Sequence, residues 1–114
     1  MENKTIQLRF RAANRDIFEA IRKGRKKVET RAATARHRDI KAGDILRFVC
    51  GKDSFKKKAK KAQIFKSIPS LLQKYRANEI NPIVNSHAEL QEMYYSYPNY
   101  REKIKQFGII AIEL

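Results

Sequence analysis

Lys26, Glu29 and Arg31 stand close together in the stretch Gly24-Arg25-Lys26-Lys27-Val28-Glu29-Thr30-Arg31. A carboxylate can accept hydrogen bonds from the amino group of a base, and cations can hold a phosphate; a nucleotide site divides its labour in this way. If residues 27–32 form a strand, Lys27, Glu29 and Arg31 share one face and Val28 and Thr30 the other. Lys26, in the turn after Gly24, is expected at the mouth of the same cleft. The alternative is a basic helix end followed by a surface Glu-Arg ion pair, which contributes little to stability.

Further cations offer contacts to a phosphate backbone: Arg25 and Lys27 beside the cluster, Arg36 and Arg38 in a polar loop, and Lys57, Lys58, Lys60 and Lys61 in a run that begins at Lys56. The lysine run also reads as a strand edge kept from aggregating by its charge, and the two readings are compatible. His37, between Arg36 and Arg38, reads as a solvated loop residue rather than a general base. His87 follows a capping serine and is expected to face water. Leu90, Met93, Tyr94 and Tyr97 fall on one helical face, which suits either core packing or base stacking, whereas Tyr95 and Tyr100 are expected to be exposed rings.

The distribution of charge supports a polyanionic partner. Residues 1–66 hold 21 Lys and Arg against 7 Asp and Glu, while residues 67–114 hold 5 against 5, so the whole excess of +14 lies in the first part. A one-signed field attracts a polyanion and speeds the encounter. Nucleic acid is the expected partner; a generally basic proteome or an anionic membrane surface would also produce a basic domain. No apolar run has the length of a membrane span, and Met1-Glu2-Asn3-Lys4 lacks the apolar core of a signal peptide, so a cytoplasmic protein without a membrane partner is expected. One cysteine, Cys50, and two histidines provide neither an internal disulfide nor a spaced zinc-ligand set, so neither a metal nor a cofactor is expected.

The 114 residues suit one domain, 1–114, with enough apolar residues to fold. Thr5 to Phe10 alternates as a half-buried strand. Asn14 can cap a helix from Arg15 to Lys23, with Gly24 past its end. A strand over about Lys27 to Ala32 follows, then a polar loop, the turn Ala42-Gly43-Asp44 and a strand from Ile45 to Cys50. Lys56 to Ser67 is basic and then alternates as a further strand. Ser67 with Pro69 opens a helix through Tyr75, and Ser86-His87-Ala88-Glu89 is a capping box for a helix through Tyr97, ended by Pro98. Gly108 to Leu114 closes the chain as a buried strand. The pattern is α+β, a small mixed sheet with segregated helices, compatible with a small curled barrel.

At this point the motifs carry a resemblance. Gly24-Arg25-Lys26-Lys27-Val28-Glu29-Thr30-Arg31 matches the G-x-K-x-x-E-x-R signature that opens ASCH domains. Ile40-Lys41-Ala42-Gly43-Asp44-Ile45-Leu46-Arg47-Phe48 resembles the family's I-x-x-G-D-x-I-x-F turn and strand, and Phe107-Gly108-Ile109-Ile110-Ala111-Ile112 is similar to its closing Y-G-V-x-x-I strand. The resemblance spans nearly the whole chain. It implies a PUA-like small mixed β-barrel flanked by helices, with a cleft beside the second strand, and a role in binding RNA before DNA.

Some small ASCH proteins are amidohydrolases of acetylated cytidine, and others are described as ribonucleases. In the amidohydrolases the signature lysine acts with a threonine three residues on and a glutamate in the later helical region. Carried over, the lysine is Lys26, the glutamate is Glu79, and the threonine's position holds Glu29. Thr30 is adjacent but belongs to the other face of a regular strand. Crowding of Lys26 by Arg25, Lys27 and Arg31 would disfavour its ammonium, as a lysine base or nucleophile requires, while Glu29 would oppose that shift. RNA binding through the basic surface of residues 22–61 is the first expectation and hydrolysis of a nucleoside the second. A third is a protein-binding module that uses the neutral C-terminal helices.

Overall fold

The computed structural model describes residues 3–114; Met1 and Glu2, the first residues of the segment read for a signal peptide, lie outside the described residues. Among the described residues, six strands and five α-helices form an α+β domain: β1 (Thr5–Phe10), α1 (Arg15–Arg22), β2 (Val28–Ala32), β3 (Ile45–Cys50), β4 (Asp53–Lys58), β5 (Lys61–Phe65), α2 (Ile68–Leu72), α3 (Ala77–Ile80), α4 (His87–Tyr95), α5 (Tyr100–Phe107) and β6 (Ile109–Glu113). The strands make two sheets of three, in the orders β1-β3-β4 and β2-β6-β5. β1 runs parallel to β3, and the remaining pairs are antiparallel.

Strand periodicity explains the layers. Leu8 and Phe10 of β1, and Leu46, Phe48 and Cys50 of β3, turn to one side and pack with Phe18 and Ile21 of α1 and with Ile110 and Ile112 of β6. The Phe48 and Phe55 rings stack at 5.0 Å, with Phe18 at 4.9 Å from Phe55. The alternate residues of β6, Ile109 and Ala111, face a second cluster made with Leu71, Ile80, Leu90, Tyr94 and Ile104 of the later helices. β6, the central strand of the second sheet, is thus buried on both faces, which is why it is a nearly continuous apolar run rather than an alternating one.

Several expectations are met. Gly24 has φ of +81° and turns the chain from α1 into β2. Asp44 is buried and accepts from the backbone N–H groups of Lys4 and Lys41 at 3.1 and 3.0 Å, so the Gly43-Asp44 turn ties β1 to the start of β3. Ser86 Oγ accepts from Glu89 N at 3.1 Å at the start of α4.

Others are corrected. Asn14 occupies the cap position of α1 but ends a 3-10 turn, Ala12–Asn14, and its side chain caps nothing. The helix opened by Ser67 stops at Leu72, and a separate short helix, α3, follows. Sequence reasoning missed α5, although Tyr100, Ile104 and Phe107 have the spacing of one helical face. The two sheets also do not close into one barrel: no ladder joins β1 to β2 or β4 to β5 among the described residues. At β4 and β5 the sheets are linked by the short connection Ala59-Lys60, whereas the edges of β1 and β2 stand open.

Candidate nucleic-acid interface

The free edges of β1 and β2 border a cleft of about 340 Å³. The strands contribute Arg9, Phe10, Glu29, Thr30 and Arg31, the turn before β2 contributes Lys26, the segment around α1 contributes Arg11, Asn14 and Ile17, and the helical layer contributes Asn81, Tyr94, Tyr97, Tyr100 and Lys103. The Lys26, Glu29 and Arg31 cluster expected from the sequence is therefore assembled, though with one change of depth. Lys26 is not at the mouth. Its side chain is 3% exposed, and its ammonium donates to Val28 O and lies 3.3 Å from Glu29 Oε1. The backbone explains this: Lys26 N, like Arg25 N, donates back to Ala20 O, which folds the post-helical turn inward.

Glu29 is the hub of the floor. Its Oε1 also accepts from Thr30 N at 3.0 Å, and its Oε2 accepts from Arg31 Nε at 3.2 Å. Burial works to raise its pKa, but Lys26, Arg31 and the Thr30 N–H together outweigh it and hold the carboxyl below its usual range. Glu29 is ionised. Burial pushes the Lys26 ammonium below its ordinary pKa, with Glu29 opposing the shift. The direction agrees with the sequence reading, but the main cause is burial, with Arg31 adding to it, while Arg25 and Lys27 are exposed. Of the three protons of the ammonium, two have acceptors in Val28 O and Glu29.

Arg31 spans the opening between the sheets. Its Nη2 donates to Arg9 O at 3.3 Å, and its guanidinium lies 4.8 Å from the centre of the Phe10 ring. Planar, with donors left over, it is suited to a phosphate or carboxylate. Thr30 faces the helical layer as strand parity requires, and its hydroxyl is hydrogen-bonded to the Tyr94 hydroxyl.

The aromatic wall is the feature that the sequence reading misplaced. Tyr100 is not an exposed ring: α5 turns it onto β2, where its hydroxyl accepts from Ala32 N at 3.1 Å. Tyr94 and Tyr100 stack 6.3 Å apart, and Tyr97 meets Tyr100 edge-on at 5.3 Å. Burial raises the pKa of all three, so they remain neutral phenols. Tyr95 is exposed, as expected.

The remaining expected residues are elsewhere. Glu79 does not reach the cleft; it is exposed, and its Oε1 accepts from Arg76 N at 2.8 Å, so it caps α3. His37 is half-buried rather than solvated, and burial together with Arg31 and Arg36 pushes its pKa down to about 4. Arg36 and Arg38 are exposed in the loop after β2, with Arg38 Nη1 donating to Ala33 O at 2.9 Å. The lysine run is divided. Lys57 opposes Leu46 and is half-buried on the inner side, Lys56 and Lys58 face outward, and Lys60 and Lys61 lie by β5, at the edge of its sheet opposite β2. Arg9, Arg11, Lys103 and Asn81 are cleft residues that sequence reasoning missed; the Asn-Arg-rich bend after the first strand held the only local signal.

The described residues contain no group of three or more His, Cys, Asp or Glu placed to hold a metal ion, and no helix long and apolar enough to cross a membrane. The molecule is a small α+β domain with a cationic, tyrosine-walled cleft between two open sheet edges. No family model and no curated protein matches the chain. Among solved structures it is 30% identical to hypothetical protein PH0355, with 98% of this chain and 96% of that chain covered and a TM-score of 0.79. It is 28% identical to protein PF0455 from Pyrococcus furiosus, solved by NMR, with coverages of 96% and 94% and a TM-score of 0.73. The chain belongs to the same family as PH0355.

Proposed function

We propose that this protein is an ASCH-type domain of PUA-like architecture that binds single-stranded RNA by holding one unpaired nucleotide in the cleft. The observation that carries the reading is the pairing of the buried, ionised Glu29 with a wall of three tyrosines inside a rim of Arg9, Arg11, Arg31 and Lys103. Tyr97 and Tyr100, which are partly exposed, offer apolar edges and faces to a base while the buried Tyr94 backs Tyr100, Glu29 accepts from an amino or imino group, and the rim cations neutralise the flanking phosphates. The choice of RNA over DNA rests on the resemblance of the Gly24–Arg31 stretch to the ASCH signature.

The hydrolase reading has less support. The position of the catalytic threonine holds Glu29, which pairs with Lys26, Thr30 is engaged by Tyr94, and Glu79 caps a helix outside the cleft. The test is fluorescence anisotropy with labelled single strands of RNA and DNA over a range of salt. For about five phosphate contacts, log K should fall with log salt with a slope near about −3.5. Arg31→Gln should weaken binding and Glu29→Gln should change base preference. A lack of RNA binding at low salt would overturn the proposal.

A further inference from the structure

We infer that the outer face of the β1-β3-β4 sheet is a second nucleic-acid surface, a track for the sugar-phosphate backbone that continues from the cleft rim at Arg9 through Arg47 to Lys56 and Lys58. This rests on the RNA-binding reading of the cleft and adds to it the path of the strand beyond the bound nucleotide.

The register places the four cations. Thr5, Gln7 and Arg9 of β1 pair with Ile45, Arg47 and Val49 of β3, which pair in turn with Lys58, Lys56 and Ser54 of β4. These are the residues that alternate with the core-facing Leu8, Phe10, Leu46 and Phe48, so they share the opposite face. Arg9 and Arg47 lie diagonally on neighbouring strands, Arg47 is directly opposite Lys56, and Lys58 is two residues further along β4. With strands about 4.8 Å apart and about 3.3 Å per residue, the stripe is roughly 16 Å long, room for several phosphates.

Two features distinguish this face from a merely basic surface. Among the described residues it carries no carboxylate: Asp53 has the parity of the inner face and pairs with Arg15. Arg47 is half-buried and held by neutral partners, with Nη1 donating to Gln7 Oε1 at 2.8 Å and Nη2 reaching Ser54 Oγ at 3.4 Å. Arg15, Arg22, Lys26 and Arg31, by contrast, are each paired with an acidic side chain. Arg47 is therefore a positioned guanidinium whose charge is uncompensated within the described residues, the state in which an external anion gains most. Among the described residues no helix covers this face, since α1 packs its Phe18 and Ile21 on the inner one. A pleated row of separated cations suits a flexible phosphate chain, and its continuity with Arg9 at the cleft rim favours nucleic acid over an anionic bilayer.

The test compares a triple variant, Arg47→Gln, Lys56→Gln and Lys58→Gln, with a control of equal charge change on the helical side, Lys74→Gln, Arg101→Gln and Lys105→Gln. Thermal unfolding confirms that both are folded, and Lys56→Gln with Lys58→Gln alone serves if the triple variant is not. Affinity is measured for a labelled single-stranded RNA of about ten nucleotides, a length within the usual site sizes, for a mononucleotide, and for vesicles containing phosphatidylserine. The face variant should bind the RNA at least about tenfold more weakly at low salt, with a salt slope shallower by about 2. Its affinity for the mononucleotide should match that of the parent protein. Equal losses in the face and control variants, or none in either, would overturn the track while leaving the cleft reading in place. Parent protein that binds vesicles but no RNA would overturn both.

Discussion

The ammonium of Lys26 and the carboxylate of Glu29 lie 3.3 Å apart on the floor of the cleft, and protein encloses both side chains almost completely. Two charges taken out of water cost several kcal/mol each, which their attraction and the added bonds from Thr30 N and Arg31 must offset. A pair maintained at that cost, and open to a cavity on one side, has a use in holding a defined charge pattern where a ligand can meet it.

Removing one partner should therefore harm more than removing both. Lys26→Met or Glu29→Gln alone leaves a buried charge with fewer partners and should cost about 3 kcal/mol or more, while the double substitution should cost less than the two losses summed. Urea denaturation of the four proteins measures the coupling, and strict additivity would show that the pair is not interacting. Because the Glu29 pKa is lowered on folding, its stabilisation is present above its unfolded value of about 4.5 and is lost as pH falls through the folded one.

His37 supplies a second pH dependence at milder acidity. Its folded pKa of about 4 is below the ordinary 6.5, so between these values the unfolded chain takes up a proton that the folded chain does not. Stability from this group is complete above about pH 6.5 and declines toward pH 4. Melting temperatures over this range should fall less in His37→Gln than in the parent protein, and an NMR titration should show one imidazole with a midpoint far below that of His37 in a denatured sample.

Gly108 joins α5 to β6 with φ of +82°, and a Cβ there would stand 2.5 Å from Phe65 O in the neighbouring strand. Gly108→Ala should destabilise the protein by more than about 1 kcal/mol, through backbone strain and displacement of β5. Gly24→Ala meets only the backbone strain, because nothing lies near its Cβ position, and should cost less. Denaturation midpoints that rank the two in the opposite order would contradict the packing described at β5 and β6.

On the binding proposal, incubation with acylated and unacylated cytidine nucleosides, followed by chromatography, should show no hydrolysis, since Glu29 stands in the threonine's place beside Lys26 and Glu79 caps α3 outside the cleft. Turnover that disappears on Lys26→Arg would make the protein an enzyme, because arginine in effect never releases its proton.

The sequence by itself determined most of the local elements, α5 and α3 excepted, and the composition of the site floor. Alternation marked β1, a continuous apolar run marked β6, turn chemistry marked Gly24 and the Gly43-Asp44 bend before β3, and strand parity set Glu29 and Arg31 side by side. These features depend on residues near one another in the chain. It did not determine which strand edges stay open, or what stands across from them. The parallel pairing of β1 with β3 and the insertion of β6 between β2 and β5 leave β1 and β2 as facing edges. That choice brings Arg9 to Arg31 and Tyr100 to Ala32, across 22 and 68 residues of sequence. It also buries Lys26, whose local neighbours suggested an exposed turn. Long-range pairing is selected by the packing energy of two cores that share β6, and no pattern within a single segment encodes it.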